Sequence, residues 1–389
     1  MTTIMSDPPP PSLPPELWIY IIRLAVPFFI ISDYLPFEEQ RIPRHNDVLR
    51  EKCTFALVCK SWNQLVSSML AEDIRFLRPQ EPYLRSIVFG SSTAEPRGHH
   101  TRKLQIAYSY IPRRGSDSIA SLLSSCPNVE YIHRPCPNTE YLIHHPSFAN
   151  MPRLTNLTRV DWFCVTHGTE IDNPAYAAVV LHSLVDVVNH SPNLRYLTIW
   201  GKGLSWPVVP LTHPNIQTLR LGNLPDNLDI CVAGWKFPSL HYLVLEHLPI
   251  ECIRTFSRQV HTVEFAPRLS LRRDGSILLL DLNAKPNIRR INFSVLFFPQ
   301  ARAWHGEYHH VREIGLNLCL TEIFWQRGER SLWPAIKGQL SWLSGCEGRG
   351  FVYADLIELH GDWNQWEEEE EFINVKGMLE ARGAELRYL

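Results

Sequence analysis

The chain is short of almost every motif that would mark chemistry. CxxC never occurs, and nine cysteines are scattered along 389 residues. An odd, dispersed set over that length reads as free thiols in a reducing compartment rather than a disulfide framework. There is no G-x-x-x-x-G-K-[ST] segment and no G-x-G-x-x-G between a strand and a helix, hence no sequence-encoded phosphate cradle. The G-x-S-x-G nucleophile elbow is missing too. Charge imbalance is also lacking. Thirty-eight basic residues face 40 acidic ones, a net charge of −2, which leaves no footprint for nucleic acid or an acidic lipid surface. The apolar run over 25–31 is broken by Pro27 and is far too short to span a bilayer. Residues 1–15 have neither a basic n-region nor an apolar h-region, so they do not form a secretory signal. These absences point to a cytoplasmic or nuclear protein without a nucleic-acid or membrane partner.

Proline and tryptophan, by contrast, are plentiful, at 30 and 12 residues. That much proline implies many short elements separated by turns. Hydrophobic residues at 45% and charged residues at 20% are an ordinary globular balance, and the length allows one to three domains with a large core.

Pro14 and Pro15 stand where a helix would begin, in a first turn that tolerates proline. Leu17, Ile21 and Leu24 recur at helical spacing, with Trp18, Ile22 and Ala25 one step round, and Pro27 stops the run. A second helix is expected from Asn46, with an apolar stripe of Leu49, Cys53, Ala56 and Leu57. A third carries Trp62, Leu65, Val66, Met69 and Leu70. Three such helices bury one another and still leave apolar residues over, and a surplus of that kind marks a partner surface.

The remainder has an irregular internal period. Pro-Asn or Pro-Ser often precedes an L-x-x-L-x-L alternation. The clearest copies are Leu194/Leu197/Ile199, Ile216/Leu219/Leu221, Leu240/Leu243/Leu245, Val260/Val263/Phe265, Ile288/Ile291/Phe293 and Val311/Ile314/Leu316. An earlier copy is Leu157/Val160/Trp162, and Val129/Ile132 and Leu386/Leu389 are partial ones. Spacings of 20 to 37 residues overlap those of leucine-rich repeats. Each L-x-L reads as a strand whose alternate side chains enter a core. One strand cannot bury its apolar side alone, so neighbours must stack. Helical stripes precede several strands: 119–123, Leu181/Leu184/Val185/Val188, 333–343 and Phe372/Val375/Leu379. The expected fold class is therefore α/β, a three-helix unit followed by an irregular α/β solenoid. The intervening strand positions are expected to form an exposed face.

The N-terminal residues resemble an F-box. The segments that carry the resemblance are Leu13-Pro14-Pro15-Glu16-Leu17, the pair Ile21-Ile22, and Val58-Cys59-Lys60-Ser61-Trp62, with Asp73-Ile74-Arg75-Phe76 similar to the exit strand. The whole chain resembles, at family level, the F-box proteins with degenerate leucine-rich repeats found in mushroom-forming fungi. The domain expectation is a disordered Pro-rich tail over 1–11, an F-box over 12–76 with an insert at 28–45, a linker or first repeat edge over 77–100, and repeats over 101–389. The resemblance implies docking on a Skp-family linker subunit, and through it a cullin, by Leu13, Pro14, Leu17, Ile21, Ile22, Val58 and Trp62. It implies a substrate adaptor of a cullin-type ubiquitin ligase, with no catalytic residue and no cofactor of its own. The substrate face would be the strand positions Tyr196, Thr198, Trp200, Thr218, Arg220, Tyr242, Val244, Glu246, Thr262, Glu264, Arg290, Asn292, Glu313 and Asn317. A repeat scaffold outside any ligase, or an enzyme whose site is assembled from distant residues, stays open as an alternative.

A zinc site at Cys126, His133, Cys136, His144 and His145 is not expected, because the spacing matches no finger and prolines interrupt it. The adjacent pairs His99-His100 and His309-His310 would face opposite ways on a strand. The acidic run Glu367–Glu371 reads as a solvated helix start, and Trp363 and Trp366 as packing.

Overall fold

Each L-x-L copy becomes one rung of a single sheet. The computed structural model describes residues 13–25, 45–76, 88–90, 96–106, 119–134, 151–163, 174–201, 208–222, 228–245, 254–256, 258–265, 285–294, 309–318, 353–361 and 363–389. The tail expected over 1–11, the helix expected over 333–343 and, apart from His45, the insert over 28–45 lie outside these residues.

Three helices come first: α1 (Pro15–Ala25), α2 (His45–Val58) and α3 (Lys60–Leu70). The strands follow as β1 (Asp73–Phe76), β2 (Lys103–Ile106), β3 (Tyr131–Arg134), β4 (Arg159–Phe163), β5 (Tyr196–Trp200), β6 (Leu211–Thr212) and β7 (Thr218–Gly222). After them come β8 (Trp235–Lys236), β9 (Tyr242–Leu245), β10 (Thr262–Phe265), β11 (Arg290–Ser294), β12 (Glu313–Asn317), β13 (Leu356–His360) and β14 (Glu385–Tyr388). Between strands lie α4 (Ile119–Ser125), α5 (Pro174–Asn189), α6 (Leu228–Ala233) and α7 (Glu370–Ala381).

Among the described residues twelve strands form one sheet in sequence order, all pairs parallel, with β6 and β8 making a separate two-stranded pair. This is a mixed α/β architecture with a parallel repeat sheet, the arrangement the internal period predicts. The second and fourth strand positions point into one continuous core that runs from Ile74 to Ala384. The clear aliphatic copies lie in it, from Leu157 and Val160 through Ile314 and Leu316, whereas Leu389 of the last partial copy is exposed.

Two backbone devices hold the register. The carbonyl of the residue preceding each of β1–β5, β7 and β9–β12 accepts two N–H groups from the next repeat. Glu72 accepts from Arg102 and Lys103, Glu130 from Thr158 and Arg159, and Arg195 from Gln217 and Thr218. Three residues before five of the strands, an asparagine Nδ2 donates to the preceding repeat's turn. Asn128 reaches the His99 carbonyl at 2.7 Å, Asn156 Pro127 at 3.1 Å, Asn193 Thr155 at 2.7 Å, Asn215 Pro192 at 2.8 Å and Asn287 Arg258 at 3.0 Å. The recurrent Pro-Asn pairs are thus a hydrogen-bonded ladder.

The sheet begins earlier than the alternation alone indicates. β1, expected as an exit strand of the helical unit, pairs with β2, which lies in the region assigned to the repeats. β2 has Thr101 where other copies carry an aliphatic residue, and Thr101 is fully buried with its hydroxyl donating to the Ala71 carbonyl at 3.0 Å.

α7 starts behind exposed Glu367–Glu370 and buries Phe372, Val375 and Leu379. Trp363 packs edge-on against Trp366 and is buried. Gly383, at φ 81°, ends the helix by donating to Glu380, while Ala384 donates back to Leu379. Among the described residues no helix is long and apolar enough to cross a membrane.

Candidate functional site

The three helices have a small core of their own, separate from that of the sheet: Ile22, Ala56, Val66 and Met69, with Ile19, Val48, Phe55, Trp62 and Leu70 packed round it. Pro14 starts α1 by accepting the Leu17 and Trp18 N–H groups at 3.0 and 3.2 Å. Cys59 is the N-cap of α3, its Sγ accepting the Trp62 N–H at 3.5 Å. Trp62 then stacks between Trp18, at 5.1 Å, and Phe55, at 5.7 Å. The Val-Cys-Lys-Ser-Trp segment is therefore a helix junction whose tryptophan reaches back to α1.

Two expectations need correction here. The face that α2 buries is not Leu49, Cys53, Ala56 and Leu57. Only Ala56 of these is buried, and Val48, Lys52 and Phe55 complete the inward face. Lys52 is tolerated there because its ammonium donates to the Met69 carbonyl at 2.8 Å and pairs with Glu72 at 3.2 Å. Arg23 on α1 pairs with the same carboxylate at 3.3 Å, so Glu72 fastens two helices to the turn that enters β1. Ile22, expected as a contact residue, is 0% exposed and belongs to the core.

The other expected contacts divide cleanly. Leu13, Pro14, Leu17, Ile21 and Val58 are exposed, and Trp62 is half-buried. Tyr20, Leu24 and Leu57 join them, Leu24 at 70% and Leu57 at 84% exposure. So many open aliphatic side chains on a helical unit of this size are more than burial within the unit requires.

The second surface is the sheet face opposite the core, made by the first, third and fifth strand positions. It was expected to be exposed, and most of it is not. Tyr196, Thr198, Tyr242, Val244, Glu264, Asn292 and Asn317 are buried, as is Thr218, whereas Trp200, Arg220, Thr262, Arg290 and Glu313 are half-buried. Glu246 lies outside the described residues. The physical reason is lateral. Strands about 4.8 Å apart let long polar side chains lie across their neighbours instead of standing out into solvent.

Two networks result. Around β3–β5, Arg159 forks onto Asp161 at 2.9 and 3.2 Å, and its guanidinium lies over the rings of Tyr131 and Tyr196 at 5.0 and 4.1 Å. The Tyr131 hydroxyl also donates to Asp161, and His133 Nδ1 stands 3.9 Å from it. Burial pushes the Asp161 carboxyl up, but Arg159, His133 and their hydrogen bonds outweigh burial and hold it well below the usual carboxylate range. Around β9–β14, Asn292 donates to the Tyr242 hydroxyl at 2.7 Å, which donates to Glu264 at 2.6 Å. Burial first, then the Glu264 charge, keeps that hydroxyl protonated far above its ordinary range. Arg290 donates to Glu358, and Arg387 approaches the same carboxylate at 3.4 Å. Burial raises the Glu358 carboxyl, but the Arg290 bond and charge, with His360, bring it below its ordinary value. Each of these groups has a partner that accounts for its state.

Among the described residues no group of three or more His, Cys, Asp or Glu side chains is arranged to hold a metal. Cys126 sits in the sheet core, where burial pushes its thiol up to about 11. Cys136, His144 and His145 lie outside the described residues.

No family model matches the chain, and no curated protein matches it. Among solved structures it is similar to the leucine-rich repeat-containing protein LegL7 from Legionella pneumophila, with 14% identity and a TM-score of 0.40. That likeness covers 73% of this chain and 91% of the other. The repeat architecture described above stands on the strand register itself.

Proposed function

We propose that this chain is a protein-binding adaptor, with α1–α3 docking on the Skp-family linker subunit of a cullin-type ubiquitin ligase. The parallel sheet would hold a protein substrate. The gain to the reaction is effective concentration, with no chemistry performed by this chain. The observation that carries the reading is the number of exposed apolar side chains at and along α1 (Leu13, Leu17, Ile21, Leu24) and at the end of α2 (Leu57, Val58), all outside the small helical core. The Glu72 clamp supports the same reading. It ties α1 and α2 to the residue whose carbonyl starts the sheet, and an adaptor must hold its two partners at a fixed separation.

Co-purification of the full chain with a recombinant Skp-family linker subunit tests this. Leu17→Glu and Val58→Glu change exposed residues, so the fold should survive while the complex is lost. Point variants are preferable to truncation, because removing residues 1–76 also removes β1 from the sheet. A folded wild-type chain that forms no complex, or charge variants that bind as well as wild type, sinks the ligase role. The chain would then be a repeat scaffold of another kind.

A further inference from the structure

Near-neutral overall charge conceals a segregation on the face opposite the core. At the first and third positions of the strands β1 to β7, Arg75, Lys103, Arg159 and Arg220 stand against Asp73 and Asp161. At the same positions of β9 to β14 the balance inverts, with Glu264, Glu313, Glu358 and Glu385 against Arg290 and Arg387. One end of the face is thus net positive by two and the other net negative by two. Both acidic groups of the first half are committed to cations. Asp161 takes Arg159, and Asp73 lies 3.7 Å from both Arg75 and Lys103.

The half-buried groups give each end a point of access. At the positive end Arg220 lies over the Trp200 ring at 4.9 Å, and Phe163 packs on that ring at 4.4 Å. A guanidinium has five donors in a fork and serves more than one partner at once. The β7 position opposite Trp200 is Gly222, which has no side chain, and the Trp200 ring is half-buried there. At the negative end Glu313 pairs with Arg290 at 3.4 Å and Glu385 with Arg387 at 2.9 Å, but their side chains stay 43% and 61% exposed, open to a further cation.

We propose that this face binds one extended polypeptide segment whose charges are arranged in two blocks, acidic over β2–β7 and basic over β12–β14. The inference rests on reading the sheet as the substrate-holding surface and names the class of substrate. Arg220 and Glu313 are separated by four strand steps, about 19 Å at ~4.8 Å per step. An extended chain covers that span in roughly six residues. The acidic block meets Arg220, and the basic block meets Glu313 and Glu385.

The probe is a fluorescent peptide of four glutamates, a six-residue Gly-Ser spacer and four lysines. Its control has the same composition with glutamate and lysine alternating. Fluorescence anisotropy with the full-length protein should show the block peptide binding at least tenfold more tightly than the alternating one. Raising salt from 50 to 500 mM should erase the difference. Arg220→Gln and Glu313→Gln, with folding checked by thermal melts, should each weaken the block peptide several-fold and leave the alternating one unchanged. Equal affinity for the two peptides overturns the proposal, as does a block preference that survives both substitutions together. If either variant unfolds, Lys103→Gln and Glu385→Gln replace them with the same expected result. Linker-subunit co-purification reads α1–α3 separately. A chain that passes the peptide test and fails that one keeps this site and loses the ligase role, and the reverse result removes this site alone.

Discussion

Arg290 on β11 donates to Glu358 on β13, passing over the strand between them. The passage is open because the third position of β12, in register between Asn292 and Glu358, is Gly315. Glu358 also takes Arg387 from β14, so one carboxylate ties the last repeats together. Glu358→Gln keeps the shape but removes the charge, and should cost about 1.5–3 kcal/mol, the scale of a hydrogen bond to an ionised group. Gly315→Ile fills the passage and should cost about 1–3 kcal/mol by overpacking. Combined with Glu358→Gln it should cost less than the sum, because both act on one contact. Denaturant melts of the two single variants and the double variant check this, and strict additivity would contradict the bridge.

The Asp161 carboxyl should set much of the acid sensitivity. Its folded pKa lies below the unfolded one, so its contribution is fully present above about pH 4 and is lost as pH falls further. Glu358 acts in the same direction. Asp161→Asn leaves Arg159 buried without its charge partner and should destabilise by about 3–5 kcal/mol at neutral pH. The more specific result is a flatter stability profile between pH 6 and 3 than in the wild type. A profile as steep as wild type would show that Asp161 is not the group that titrates.

His213 offers a second, milder pH response. It is buried, its Nδ1 accepts the Asn215 N–H at 3.2 Å, and its Nε2 faces the Ser191 carbonyl at 2.9 Å. A fixed donor on one side and a fixed acceptor on the other select the neutral Nε2–H tautomer. Burial lowers its pKa from the ordinary 6.5, and the Ser191 bond only partly offsets that. The neutral ring therefore contributes stability above pH 6.5 that is lost as pH falls below it. An NMR titration should place the His213 midpoint below the ordinary 6.5. A midpoint above 6.5 would contradict the assignment.

How much of this was legible in the sequence depended on whether a role belongs to one residue or to a pair. Core positions such as Leu197, Leu219 and Ile291 announce themselves, because a buried strand face needs an aliphatic side chain at every second site. β2 escaped because Thr101 takes an aliphatic site by bonding its hydroxyl to Ala71. The inward face of α2 was misread for a related reason. Lys52 is inside only because Glu72, twenty residues on, neutralises it, and the apolar pattern of one helix does not record that. β6 and β8, two residues each, are too short to leave a period. The sheet face was misjudged because burial there is made across the register. Asn292 reaches Tyr242 over Thr262, and no reading of a single strand reveals that the residue between is small enough.

The asparagine ladder makes the sharpest prediction of added stability. Its rungs run through Asn128, Asn156, Asn193 and Asn215, lapse at Ser239 and Gln259, and resume at Asn287. Ser239 occupies the same place as the asparagines, three residues before β9, and its turn is built alike, with Leu240 donating to Phe237 and fully buried. Its hydroxyl is too short to copy their reach. Ser239→Asn should place an amide Nδ2 against the Pro214 carbonyl, the counterpart of the Pro192 carbonyl that Asn215 uses. A partly solvated hydrogen bond of this kind adds about 0.5–1.5 kcal/mol, and the exposed site favours the lower end. That corresponds to a rise of about 1–5 °C in Tm if the sheet melts as one unit. Asn215→Ala should lower Tm by a similar amount, since it deletes an existing rung without opening a core cavity. If Ser239→Asn leaves Tm unchanged while Asn215→Ala lowers it, the ladder is real but the β7–β9 turn does not align its carbonyl. If neither changes Tm, the asparagines contribute nothing to stability and the bifurcated backbone carbonyls alone hold the register.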